Sequence, residues 1–243
     1  MADYNDPRTT ATGFGSVPRA GGQVVFDAGL RKHMLSIYNY MTSGVLLTGI
    51  VALLTFNSGL AYSFASGPLM WLVALSPLAV VFAMSFGAAR FSTGTLQALF
   101  WGFATLMGLS LSTIFLRYTG GSIAVTFFAT AAAFAGLSLF GYTTQKSLSG
   151  LGTFLIMGVV GLLVAMIANM FIQSSALFYA ISFIGVLIFA GLTAYDTQRL
   201  KNEYAMLRGS EFAGKAIIMG ALTLYLDFIN MFQFLLSFMG NRN

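Results

Sequence analysis

Seven long apolar runs fill most of this sequence, and they limit what the chain can fold into more than any other feature. Each is close to the roughly 20 apolar residues that a helix needs to cross a bilayer. Backbone polar groups in hydrocarbon must pair with one another, so each run is predicted to be a helix. The predicted spans are residues 34–56, 69–89, 95–116, 122–142, 151–172, 177–198 and 216–238.

The scarcity of charge agrees with this interpretation. Only 8% of the 243 residues are charged and 57% are hydrophobic, whereas a soluble domain carries about 25% charged residues. The predicted fold class is an all-α polytopic membrane protein with seven transmembrane helices. Residues 1–23 are polar and rich in Gly and Thr, so they are predicted to form a disordered tail. Residues 24–243 form the predicted transmembrane domain, with 24–33 as an interfacial lead-in.

Lysine and arginine are distributed unevenly between the two sides of the predicted bundle. Ten lie on the side of the amino terminus and two on the other. The positive-inside rule therefore predicts a cytoplasmic amino terminus and an outer carboxyl terminus. Span ends account for most of the basic residues, so the net charge of +5 does not indicate a nucleic-acid partner. The ten are Arg8, Arg19, Arg31, Lys32, Arg90, Lys146, Arg199, Lys201, Arg208 and Lys215, and the two are Arg117 and Arg242.

Residues that usually carry enzymatic chemistry are scarce. The sequence has no cysteine, which excludes disulfides and thiolate chemistry. Its one histidine, His33, precedes the first span and is predicted to lie at the level of the lipid headgroups rather than to bind a metal. No cofactor is predicted, and an enzyme is the least favoured class.

Two aspartates stand inside apolar surroundings, and they are the main functional candidates. Asp227 falls in the middle of the last run, and Asp196 falls near the end of the sixth. An acid within a span indicates a functional site or, alternatively, a hydrogen bond that joins helices. Because Asp227 cannot face lipid as a charged group, the last helix is predicted to be the central one. Asn230 shares a helical face with Asp227, and Asn230 and Asn169 are candidates for a polar path.

A meeting of the two acids would create a specific site, although depth argues against it. By the predicted boundaries Asp227 lies roughly 16 Å into its span and Asp196 only roughly 3 Å. They meet if the last helix begins near Gly220, or if water enters; otherwise Asp196 pairs with Arg199 three residues on. Two adjacent carboxyls in a low dielectric share a proton. A nearby Arg90 would favour the charged form of the pair and act as a latch.

Three segments are similar to one known family. GLTAYDTQRL at 191–200 and LYLDFINMF at 224–232 resemble the Bax inhibitor-1 family, in its bacterial YccA-like branch. The segment TAAAFAGLSLFGYTTQKSLSGLGTFL at 130–155 resembles the family's central signature, although TTQKSLS departs from the usual pattern. The resemblance implies seven helices, with the last one enclosed by the other six, and a place in a bacterial inner membrane.

The resemblance also implies a function. Family members are associated with a pH-sensitive calcium leak, in which two aspartates form a pair that an arginine of the second helix can latch. By position these residues are Asp196, Asp227 and Arg90. The predicted partners are therefore the lipid bilayer and calcium or protons. An interaction with a membrane-bound ATP-dependent protease through residues 1–23 is the alternative, and a proton-coupled carrier lacks the internal repeats that such carriers usually show.

Overall fold

Eight α-helices make up nearly all of the structure, a computed structural model that describes residues 28–207, 209–210 and 212–243. A 3₁₀-helix at Ser112–Leu116 continues the fourth of them. Seven of the eight are long and apolar enough to cross a membrane, which confirms the predicted fold class. The helices are α1 Ala28–Asn57, α2 Leu60–Phe64, α3 Pro68–Gly87, α4 Thr93–Leu111, α5 Gly120–Thr143, α6 Ser149–Ile172, α7 Ser175–Leu207 and α8 Ala213–Met239.

The predicted spans match the helices to within a few residues, except at the start of α1 and at the end of α7. Helix α1 already includes residues 28–33 of the predicted lead-in, and the connection 57–68 contains the short helix α2. The predicted disorder of residues 1–23 concerns a part of the chain outside the described residues.

The largest difference is in α7, which continues from the predicted end at residue 198 to Leu207. Residues 199–207 include three charged residues and an asparagine but are mostly good helix formers, so the helix persists after the apolar run has ended. Gly209 then adopts φ 79° in the turn to α8, a conformation that glycine tolerates without strain. The extension covers His33, whose ring lies 5.2 Å from that of Tyr204. His33 is consequently buried rather than exposed to headgroups.

Helix α8 is the centre of the bundle, as predicted. In its most apolar stretch 61% of the residues are buried, against at most 39% in any other span. It packs on α7, α1, α5 and α4, while α3 and α6 lie on the outside against α4 and α7. Enclosure of α8 keeps its polar residues away from lipid.

Helices α5 and α7 approach each other closely at one glycine. A Cβ atom added at Gly141 would overlap the carbonyl oxygen of Ala194, which is backbone and cannot move aside. Gly136, on the same helix, faces open space. This contact places α5 directly beside the segment of α7 that carries Asp196.

We expect Gly141→Ala to lower stability by about 1–3 kcal/mol, because the added methyl forces α5 and α7 apart. The control Gly136→Ala should be neutral or stabilising by up to about 1 kcal/mol, because alanine favours the helix. Thermal unfolding of the purified proteins in detergent distinguishes the two. An equal midpoint for both variants would contradict the close contact.

Candidate functional site

The hairpin of α7 and α8 brings the two buried aspartates together. These helices run antiparallel on either side of the turn at Gly209, and the rings of Phe189 and Phe234 stack at 5.8 Å farther from that turn. Between the turn and this aromatic pair, the carboxyl groups of Asp196 and Asp227 lie within hydrogen-bonding reach of each other. We call them the acid pair.

The length of α7 explains how the two acids can meet although the predicted boundaries put them at different depths. At about 1.5 Å per residue, Asp196 lies roughly 16 Å before the end of α7, and Asp227 roughly 21 Å after the start of α8. The start of α8 at Ala213 shows that the alternative of a helix beginning near Gly220 is wrong. The extension of α7 past the apolar run reduces the difference in depth from roughly 13 Å to roughly 5 Å.

The acid pair is almost completely shielded. Asp196 is 5% exposed and Asp227 is 4% exposed. One oxygen of each, Oδ1 of Asp196 and Oδ2 of Asp227, lacks a hydrogen-bond partner among the described residues. Buried carboxylates without enough donors are strongly disfavoured, so a proton shared between the two carboxyls satisfies the arrangement better than two negative charges.

The arginine beside the acid pair is Arg199, one turn along α7. Its Nη1 lies 2.9 Å from Oδ1 of Asp196, an ion-pair distance, although the N–H directions do not meet hydrogen-bond geometry. Its Nε lies 3.4 Å from Oε1 of Glu203. Arg199 thus divides its charge between a buried acid and a partly exposed one. The sequence alternative of an Asp196–Arg199 contact is therefore observed together with the acid pair.

Arg90 is not at the acid pair. Helix α3 ends at Gly87, and Arg90 lies in the exposed turn that follows. Lys215 at the start of α8 holds this end, since its Nζ lies 3.4 Å and 3.2 Å from the carbonyl oxygens of Ala88 and Ala89. Among the described residues no ion pair involves Arg90. Arg199 occupies the place beside the pair that the sequence assigned to Arg90.

Gln198 connects the α7 segment of the acid pair to the α5–α6 loop. Its Oε1 accepts from the Leu148 amide at 2.8 Å, and its Nε2 donates to the Lys146 carbonyl at 2.9 Å and to the Thr144 carbonyl at 3.5 Å. All three bonds go to backbone. The departure of TTQKSLS from the family pattern therefore leaves this connection intact.

Two networks of hydroxyl groups, which the sequence did not reveal, include residues next to or near the two acids in sequence. Tyr38 on α1, Ser138 on α5 and Thr197 on α7 form a chain with O···O distances of 2.6 and 2.9 Å. Thr48 on α1 joins Tyr225 at 2.6 Å and donates to a carbonyl of α4. Thr197 lies in the segment GLTAYDTQRL and Tyr225 in the segment LYLDFINMF, but their hydrogen-bond partners are far away in sequence.

The two asparagines line one cavity on the far side of the bundle from the basic face, which we define as the face where α1 begins. This cavity, of about 340 Å³, is also lined by Ser182 and Gln233. Asn169 and Ser237 also line a second one of about 620 Å³ among the loops at that side. Asn230 lies one turn from Asp227, so the cavity ends close to the acid pair.

The described residues contain no group of three or more acidic or histidine side chains that could hold a metal ion. The acid pair supplies two carboxyls, and one buried oxygen of each lacks a hydrogen-bond partner among the described residues. Two adjacent buried carboxyls can share a proton.

The fold and the site define a class: a seven-helix membrane protein whose enclosed last helix shares an acid pair with the helix before it. The family model described as inhibitor of apoptosis-promoting Bax1 matches residues 30–243. The chain is 47% identical over 239 residues to an uncharacterized protein of Caulobacter vibrioides, covering 93% of this chain and 95% of that protein.

It is 44% identical to an uncharacterized protein of Rickettsia prowazekii, covering 100% of this chain and 99% of the relative. It is also 44% identical to the inner membrane protein YbhL of Escherichia coli, covering 93% and 98%. The chain belongs to the Bax inhibitor-1 family, which confirms the predicted membership. None of these three relatives has an enzymatic name.

We expect Gln198→Leu to loosen the α5–α6 loop, because the Leu148 amide loses its acceptor. Hydrogen–deuterium exchange at Leu148 should become about two- to tenfold faster, which corresponds to the net value of one hydrogen bond. Gln145→Leu is the control, since Gln145 is exposed in the same loop. Unchanged exchange in the Gln198 variant would show that the side chain does not hold the loop.

Proposed function

We propose that this protein is a pH-sensitive calcium leak of the inner membrane, controlled by the proton content of the acid pair. The observation that carries the proposal is the burial of Asp196 and Asp227 within hydrogen-bonding reach of each other. Oδ1 of Asp196 is in an ion pair with Arg199, and Oδ2 of Asp227 has no hydrogen-bond partner among the described residues. Family membership and the inner-membrane name of the relative YbhL support the setting.

The proposed gating step is the arrival of a second proton. With one shared proton, the pair ties α7 to α8, and its single negative charge is balanced by Arg199 at 2.9 Å. A second proton removes that negative charge and leaves Arg199 with the partly exposed Glu203 as its remaining acidic partner among the described residues. Arg199 then moves with Glu203 towards water, because a charge that has lost a buried partner is disfavoured in a low dielectric. The helices part, and the leak increases as the pH falls.

The cavity lined by Asn230 and Asn169 is the proposed outer half of the path. Its amide and hydroxyl oxygens are ligands that suit a hard cation in transit. Calcium prefers about six to eight oxygen ligands for tight binding, and the described residues offer no such set. We therefore propose passage rather than storage.

The first prediction concerns the double variant Asp196→Asn/Asp227→Asn, in which neither position can carry a negative charge. In liposomes loaded with a calcium indicator, wild-type flux should rise as the pH at the basic face falls. The double variant should leak at neutral pH at about the level that wild type reaches in acid, with little further response. Asn230→Ala, one turn away, should change the size of the flux but keep its pH dependence. A wild-type pH response in the double variant would contradict the proposal.

A second prediction separates the two arginines. Arg199→Gln removes the cation that balances the pair, so its pH response should shift or flatten. Arg90→Gln, which changes an exposed turn of the same face, should respond like wild type. The same flux assay measures both. If only the Arg90 variant altered the pH response, the gating arginine would be Arg90 after all.

The protease alternative stays a prediction about residues 1–23, which lie outside the described residues. Deletion of that segment distinguishes it, since a leak formed by residues 28–243 should keep its flux. The predicted orientation, with a cytoplasmic basic face, belongs to the same proposal and determines which side of the membrane the acid pair senses.

A further inference from the structure

A groove follows the boundary between α1 and α5. It is separate from the acid pair and from the cavity lined by Asn230 and Asn169. These two helices both pack on α8 but make little contact with each other. Two cavities lie along the boundary, one of about 500 Å³ towards the basic face and one of about 400 Å³ towards the opposite face. We call the first the inner groove.

The walls of the inner groove are single faces of two helices. On α1 the lining residues recur every three or four positions, and so they share one side of the helix. The α5 wall is formed in the same way. Apart from hydroxyl groups and one arginine, the lining is apolar. It consists of Arg31, Met34, Leu35, Tyr38 and Thr42 on α1, and of Phe134, Ala135, Ser138, Leu139 and Tyr142 on α5.

The depth of the inner groove matches one leaflet. From Arg31 to Thr42 is roughly 16 Å along the helix, which is about half of a hydrocarbon core of about 30 Å. Leu35 and Leu139 on the two walls are exposed in the bundle itself, so the groove opens sideways towards lipid. An acyl chain that entered from this leaflet would fit its length.

The mouth of the inner groove is basic. Arg31 lies in the lining, and Nζ of Lys201 is bonded to the Tyr142 carbonyl at 2.7 Å, beside the end of the α5 wall. An ammonium has three donors and a guanidinium five, so both can also contact a phosphate while keeping other partners. No acidic side chain among the described residues lines the groove. Basic pockets between transmembrane helices are sites for anionic headgroups.

We propose that the inner groove binds one anionic phospholipid, with its phosphate at Arg31 and Lys201 and an acyl chain between α1 and α5. The second cavity along this boundary, of about 400 Å³, is lined by no basic side chain among the described residues, so the charge preference is proposed for one leaflet. The Tyr38–Ser138 bond at 2.6 Å crosses the groove and continues to Thr197, next to Asp196. The bound lipid therefore contacts the network beside the acid pair. The site itself does not depend on the proposed leak.

Native mass spectrometry of the full-length protein in detergent, with phosphatidylglycerol or phosphatidylcholine of identical chains, tests this. Wild type should retain phosphatidylglycerol in preference. Arg31→Gln should reduce its retention about fivefold, the effect of one charge near a headgroup, while retention of phosphatidylcholine stays the same. Arg90→Gln, a change of equal charge on the same face, should have no effect.

Ala135→Phe should fill the groove and reduce the retention of both lipids, whereas Ala133→Phe, exposed on the same helix but outside the lining, should not. A photoactivatable phosphatidylglycerol on wild type provides a measurement that needs no variant, and it should label α1 and α5 rather than α3 and α6. Equal retention of the two lipids by wild type, or labelling spread evenly over the outer helices, would overturn the proposal.

Discussion

Burial of two carboxyl groups in a membrane bundle is the constraint on which the rest of this structure depends. An acid that faced lipid would be strongly disfavoured, so the helix that carries Asp227 must be enclosed. That requirement explains why α8 is the most buried span and why α7, α1, α5 and α4 surround it. Asp196, contributed by the neighbouring α7, gives the enclosed acid a partner with which it can share a proton.

The surroundings of the acid pair differ on its two sides: packed side chains lie on one side, and a cavity lies on the other. Towards the basic face, Arg199, Gln198 and the extended end of α7 hold the pair under the α5–α6 loop. Away from that face, a cavity lined by amide, hydroxyl and apolar side chains includes Asn230, one turn from Asp227. The pair therefore lies where a small change in its charge would alter the contact between two helices at the centre of the bundle.

Much of this arrangement could be predicted from sequence. An aspartate in the middle of the run LYLDFINMF implies an enclosed helix, and the seven runs mark seven spans. Two features could not be read in the same way. Hydropathy ends the sixth span at residue 198, although helix-forming residues carry α7 on to Leu207. The position of Arg90 depends on where α3 ends and on the contact of Lys215 with the carbonyls of Ala88 and Ala89, which no local pattern contains. The Tyr38–Ser138 bond likewise joins residues a hundred positions apart.

The most direct test of the acid pair is a carbon-13 NMR titration of the protein labelled at its aspartate carboxyls. If Asp196 and Asp227 share a proton, their signals should titrate together in two steps separated by more than about one pH unit. Asp196→Asn should leave a single step for Asp227. Independent titration of both carboxyls in one common step, unchanged for Asp227 by the Asp196 substitution, would contradict the account.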